Sequence, residues 1–102
     1  MIIAVDFDGT LCKDLYPEIG RPNRRLIRIL KDRATVFGDK LILWTCRTGK
    51  QLDDAVEWCK NFGLHFDAVN ENLPEIKESR GGDTRKVYAD KYIDDKSTFI
   101  PW

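Results

Sequence analysis

An apolar run that stops abruptly on two carboxylates governs how this chain can fold. Ile2-Ile3-Ala4-Val5 leads straight into Asp6-Phe7-Asp8-Gly9-Thr10. So short a continuous apolar run predicts a strand buried on both faces, the habit of parallel sheets covered by helices. Ligand sites in such sheets lie beyond the carboxyl ends of the strands, where Asp6 and Asp8 fall. Two aspartates there repel each other unless a cation or a proton separates them, so a metal is expected. A plain turn after the strand is the competing reading, since Asp and Gly are common turn residues.

The remaining pattern repeats the theme. Between Thr10 and Asn23, Tyr16-Pro17 and Gly20-Arg21-Pro22 predict a loop or short hairpin. Asn23 is an acceptable cap for a helix that turns Leu26, Ile27 and Leu30 inward. Lys40 to Thr45 is a second buried strand, followed by Cys46-Arg47-Thr48-Gly49. Thr48 and Gln51 have capping-box spacing for a second helix, with Leu52, Ala55, Val56, Cys59 and Phe62 as its stripe and Gly63 as its stop. Phe66 to Asn70 is a short third strand, and Leu73 to Arg85 a loop with one helical turn. Val87 to Ile93 holds a fourth strand, ending in Asp94-Asp95. Strands alternating with helices predict an α/β fold: a three-layer, Rossmann-like parallel sheet of about four strands.

Bulk properties narrow the classes. The 102 residues suffice for one domain, spanning 1–102. Seventeen basic and seventeen acidic residues cancel, so no global charge draws the chain to nucleic acid or membrane. No stretch is long enough to span a bilayer, and no basic leader precedes the first strand. Cys12, Cys46 and Cys59 are odd in number and far apart, which suits a reducing cytoplasm and lacks the paired spacings of a zinc site with His65.

In a parallel sheet the ends of the strands share one edge, so Asp6, Asp8, Thr45, Asp94 and Asp95 are expected to converge. Such a group of carboxylates makes a hard oxygen site suited to Mg2+, which takes one or two carboxylates together with phosphate oxygens and water. Thr45, just before a helix, suits phosphate. Lys86 or Lys91 would add positive charge. Together these pieces fit phosphoryl transfer.

The order Asp6-Phe7-Asp8-Gly9-Thr10, then Leu41-Ile42-Leu43-Trp44-Thr45, then Lys86, then Ile93-Asp94-Asp95 resembles the four motifs of the haloacid dehalogenase-like (HAD) superfamily, most of whose members are magnesium-dependent phosphatases. Trp44-Thr45-Cys46-Arg47 and Asp90-Lys91-Tyr92-Ile93-Asp94-Asp95 are similar to a group of small bacterial and phage hydrolases of that superfamily. The resemblance implies Asp6 as nucleophile through an aspartyl-phosphate, and Asp8 as general acid then base, kept protonated for the first step by its acidic neighbours. It implies Thr45 as a phosphoryl hydrogen-bond donor and Lys86 as the neutralising cation, with Lys91 or Arg85 as alternatives. Asp6, the Asp8 main-chain carbonyl and Asp94 would hold the metal, with Asp95 ligating through water or orienting the others. Gly9, Thr10, Cys46 and Arg47 complete the expected substrate pocket, Arg47 reaching substrate or simply pairing on the surface.

The gaps between motifs leave no room for a cap domain, so the expectation is a capless HAD core with an open site. Such a site favours a bulky phosphorylated substrate or a partner subunit, and a homo-oligomer is one arrangement that fits. Arg21, Arg24, Arg25, Arg28 and Lys31 fall near helical spacing, a basic face that is usually solvated but would also suit nucleic acid. Few residues follow Asp95, which leaves the Asp94 strand as a sheet edge for Phe99, Ile100 and Trp102 to cover. The alternative to an enzyme is a non-catalytic phosphate- or polyanion-binding module on the same fold.

Overall fold

The computed structural model describes residues 1–96 and residue 102. Four parallel strands form the sheet: β1 (Ile2–Val5), β4 (Lys40–Leu43), β5 (Ala68–Val69) and β6 (Lys91–Ile93). Their order is β5-β4-β1-β6. Ile3 pairs with Leu41 on one side and Lys91 on the other, and Val5 with Leu43 and Ile93, so the carboxyl ends of the three strands are level. The chain winds outward from β1 through β4 to β5, then crosses to the other side of β1. The end of β1 is therefore the switch point where α/β sheets open a crevice.

Alternation along the strands feeds two cores. Ile3, Val5, Leu41 and Leu43 face α1 (Arg24–Thr35) and α2 (Gly49–Asn61), meeting Leu26, Ile27, Leu30, Ala55 and Cys59. Ala4 and Ile42 face the opposite way, against Leu73, Val87 and Ala89, with Ile76 of α3 (Pro74–Arg80) packed behind. Both faces are covered, and the three-layer, Rossmann-like α/β fold expected from the apolar runs is present.

Local structure meets expectation at the hairpin and the first helix cap and departs from it further along the chain. Residues 11–22 form a hairpin, β2 (Cys12–Leu15) and β3 (Glu18–Pro22). Gly20 makes it possible, because a Cβ there would collide with the Lys13 carbonyl. Asn23 caps α1 through Leu26 N–H at 3.1 Å, and its amide also donates to the Thr10 carbonyl at 3.0 Å. The Thr48 capping box does not form. Gly49 enters α2 at φ +55, outside helical geometry, so the Thr48 hydroxyl is not aimed at the first amides. The stretch after Leu73 holds two turns of helix rather than one, started by Pro74 in the first turn and ended by Gly81 in the left-handed region.

The last strand is shorter than the sequence suggests, since only Lys91–Ile93 pair with β1. Tyr92 explains why. Its hydroxyl donates to the Val87 carbonyl at 2.6 Å and accepts from Ala89 N–H at 3.2 Å, folding residues 87–89 across the sheet's second face. Among the described residues β6 is an edge strand. Phe99 and Ile100, expected to cover it, lie outside the described residues; Trp102 has its ring 3.8 Å from the Lys13 ammonium of β2.

Candidate active site

At the end of β1 the backbone is pinned on both sides: Asp6 N–H donates to the Ile93 carbonyl and Trp44 N–H to the Val5 carbonyl, each at 2.9 Å. The chain then tightens into a turn, with Thr10 and Leu11 N–H both donating to the Phe7 carbonyl. Gly9 sits at φ +82, and a Cβ there would come within 2.5 Å of Asp95 Oδ2. Only glycine allows that approach. The motif thus brings Asp95 against the Asp6–Gly9 turn although Gly9 and Asp95 lie 86 positions apart in sequence.

Asp6, Asp8, Thr45, Cys46, Arg47 and Asp95 line one open cleft of about 460 Å³, together with Asp14, Tyr16 and Lys96. Asp94 lines an adjoining hollow that shares Asp6, Thr45, Cys46 and Lys96. Burial pushes the Asp6 carboxyl up to about 6; the Phe7 N–H on its Oδ1 (2.8 Å) opposes this, and the charges of Asp95, Asp8 and Asp94 add to it. Either a proton or a cation would relieve such crowding. No three carboxylate, histidine or cysteine side chains among the described residues are yet gathered into a metal-holding group. Magnesium needs only one or two carboxylates beside main-chain oxygen, water and phosphate, so the all-oxygen donor set of Asp6, Asp94 and the Asp8 carbonyl suits it, with Asp95 adjacent.

Arg47 is the largest surprise. Its side chain is 1% exposed, and it forks onto Asp8, Nε to Oδ2 and Nη2 to Oδ1, both at 2.8 Å. The same guanidinium donates to the carbonyls of Pro17 (3.1 Å), Glu18 (2.9 Å) and Gln51 (3.3 Å). Its Cζ lies over the rings of Phe7 and Tyr16, 5.0 and 5.1 Å from their centroids. The hydrogen bonds with Asp8 hold its pKa above the ordinary arginine value, against the effect of burial. Of the two expected roles, surface pairing is therefore corrected to a buried tie between Asp8, the hairpin and α2.

The side of the cleft that holds Thr45 is built by strand ends. Thr45 N–H donates to Asn70 Oδ1 at 2.8 Å, and the Thr45 hydroxyl accepts from Arg47 N–H at 3.2 Å. Asn70 holds φ +54, which its side chain tolerates better than most. Asn70 is not among the expected site residues, yet it follows β5 as Thr45 follows β4, and a rule that looks beyond the end of every strand finds it. Tyr16, Asp14 and Lys96 were also missed.

Other expected residues stand elsewhere. Thr10 is fully buried, its hydroxyl without a partner among the described residues, so it supports the turn from beneath rather than facing the cleft. Lys86 does not line the cleft; its ammonium lies 5.2 Å from the Tyr92 ring centroid. Residues just before a parallel strand approach from its amino end, away from the carboxyl edge. The same applies to Lys91, which pairs with Ile3, and Arg85 is absent from the lining too. The lysine present in the cleft is Lys96, whose N–H donates to Asp94 Oδ1 at 2.7 Å and whose ammonium is 3.8 Å from Asp95. Arg24, Arg25, Arg28 and Lys31 are exposed along α1, with Arg21 on β3. No helix among the described residues is long and apolar enough to cross a membrane. Burial pushes the Cys12 and Cys59 thiols up to about 11 and about 12, which leaves them inert.

No protein-family model matches the chain, and no curated protein does. Among solved structures, it is similar to a conserved protein coded by a locus of Bacteroides thetaiotaomicron. The two are 43% identical with a TM-score of 0.83, over 95% of this chain and 77% of that one. The chain belongs to the same family as that Bacteroides protein.

Proposed function

We propose that this protein is a capless, magnesium-dependent phosphatase of the HAD type, working through an aspartyl-phosphate on Asp6. The observation that carries the reading is the meeting of Asp6, Asp8, Thr45 and Asp95 around one open cleft at the sheet's switch point, with Asp94 alongside. Asp6 is the carboxylate with its backbone fixed on both sides, as a nucleophile requires.

Asp6 attacks phosphorus, the bond from phosphorus to the ester oxygen breaks, and the leaving oxygen takes the proton carried by Asp8. Water then attacks the phosphorus of the acyl-phosphate, gives a proton to Asp8, and releases phosphate with Asp6 restored. Arg47 bears on both halves of Asp8's role. Both Asp8 oxygens accept from the guanidinium, so a proton on either weakens the fork. The geometry favours Asp8 as base for the second step, and donation to the leaving group requires it to loosen from Arg47. Thr45, held by Asn70, would orient the phosphoryl oxygens. Bound Mg2+ would supply charge neutralisation for the phosphoryl group, held by Asp6, Asp94 and the Asp8 carbonyl. Lys96 is better placed than Lys86 to add positive charge.

The open cleft also favours a substrate whose phosphate protrudes, such as a bulky phosphoester. The test is hydrolysis of an aryl phosphate in Mg2+ or in EDTA, by wild type and Asp6→Asn. Magnesium-dependent turnover lost in Asp6→Asn is the expected result. Turnover that survives Asp6→Asn would remove the aspartyl-phosphate step.

A further inference from the structure

The hairpin tip carries an aromatic side chain that the phosphate chemistry does not use. Tyr16 is 58% exposed and lines the same cleft as Asp6, Asp8 and Thr45. It does not dangle. Its N–H donates to Asp14 Oδ1 at 3.2 Å, and the next two carbonyls, of Pro17 and Glu18, both accept from Arg47. The Arg47 guanidinium rests 5.1 Å from the ring centroid on one side, and the ring retains a large open surface. A cation on one face draws electron density from the ring and favours a flat, electron-rich group on the other. Leu15 beside it is equally open, so the tip offers apolar contact as well.

Charge decides what such a surface would receive. Asp14 lines the Tyr16 end of the cleft and is not among the paired carboxylates of the described residues, which disfavours a second phosphate there. Building on the phosphatase reading above, we infer that Tyr16 is a stacking platform for the leaving group, and that the preferred substrates are phosphomonoesters carrying a flat, uncharged aromatic ring. Tyr16 is then a specificity-determining residue rather than a catalytic one.

Benzyl phosphate and cyclohexylmethyl phosphate test this, because they match in size and closely in leaving-group basicity and differ in flatness. Wild type should favour the benzyl ester in kcat/KM by roughly tenfold. Tyr16→Phe should keep that preference, and Tyr16→Ala and Tyr16→Leu should bring the ratio near one. Using the ratio cancels any loss of folded enzyme. Calorimetric binding of the two corresponding phosphonates to wild type and Tyr16→Ala in Mg2+ reads the platform without turnover. Hydrolysis with equal ratios in wild type and Tyr16→Ala would overturn the platform and leave the phosphatase standing. A Tyr16-dependent preference between the phosphonates without hydrolysis of either ester would do the reverse. If neither phosphonate binds, both ideas fall.

Discussion

Replacing Asp6 by asparagine should make the metal-free protein more stable while abolishing its chemistry. Asp6 ionises at about 6 in the folded chain against 3.8 for a free side chain, chiefly because it is buried and secondarily because Asp95, Asp8 and Asp94 crowd it. Two pKa units correspond to about 3 kcal/mol. The carboxylate is partly open to water, so solvent screening reduces this to about 1–2 kcal/mol. Asparagine keeps an oxygen to accept the Phe7 N–H and removes the charge. Between pH 4 and 6 the folded chain retains a proton that the unfolded chain has released, so this group's contribution to stability falls as pH rises through that window. Asp6→Asn should therefore match wild type near pH 4 and exceed it by about 5–10 °C in Tm above pH 7, measured in EDTA. Adding Mg2+ should raise wild type and leave Asp6→Asn unmoved. An asparagine variant that is less stable at pH 7.5, or whose advantage does not change with pH, would refute the assignment of Asp6 as a carboxylate strained by its site.

Arg47→Met should lose about 3–5 kcal/mol in urea unfolding, because Asp8 and three carbonyls lose a buried partner at once; an unchanged midpoint would mean water replaces the fork. Gly9→Ala should weaken Mg2+ binding at least tenfold by calorimetry, since the new Cβ displaces Asp95, with a smaller loss in Tm from the positive φ. Asn70→Ala should lower kcat for an aryl phosphate about tenfold or more by freeing the Thr45 loop, and wild-type kcat would show that this loop is held without it. Asn23→Ala should cost about 1–2 kcal/mol in urea unfolding through the lost cap on α1 and the lost bond to Thr10.

Much of this protein is written in its local sequence. Apolar runs of about four residues ending at Asp6 and Thr45 specify strands buried on both faces, and alternation with amphipathic helices then dictates a parallel sheet. Because parallel strands end on one edge, the pattern of residues alone implies that carboxylates from positions 6 and 94 meet beside Thr45. Periodicity is a local property, and the convergence follows from it without any knowledge of packing.

Tertiary structure decided what no spacing encodes. Arg47 reads as a substrate contact or a surface pair, because nothing nearby in sequence says that Asp8, Pro17 and Glu18 will fold over it; its burial exists only once the hairpin docks. Lys86 read as a strand-adjacent cation, but Tyr92 draws the preceding segment across the opposite face and the cleft is left with Lys96. Asn70 and Tyr16 acquire meaning through partners more than 20 residues away in the chain. Hydrophobic burial is specified by pattern, whereas a polar side chain takes whatever partner the finished fold brings within about 3 Å, and that choice is made last.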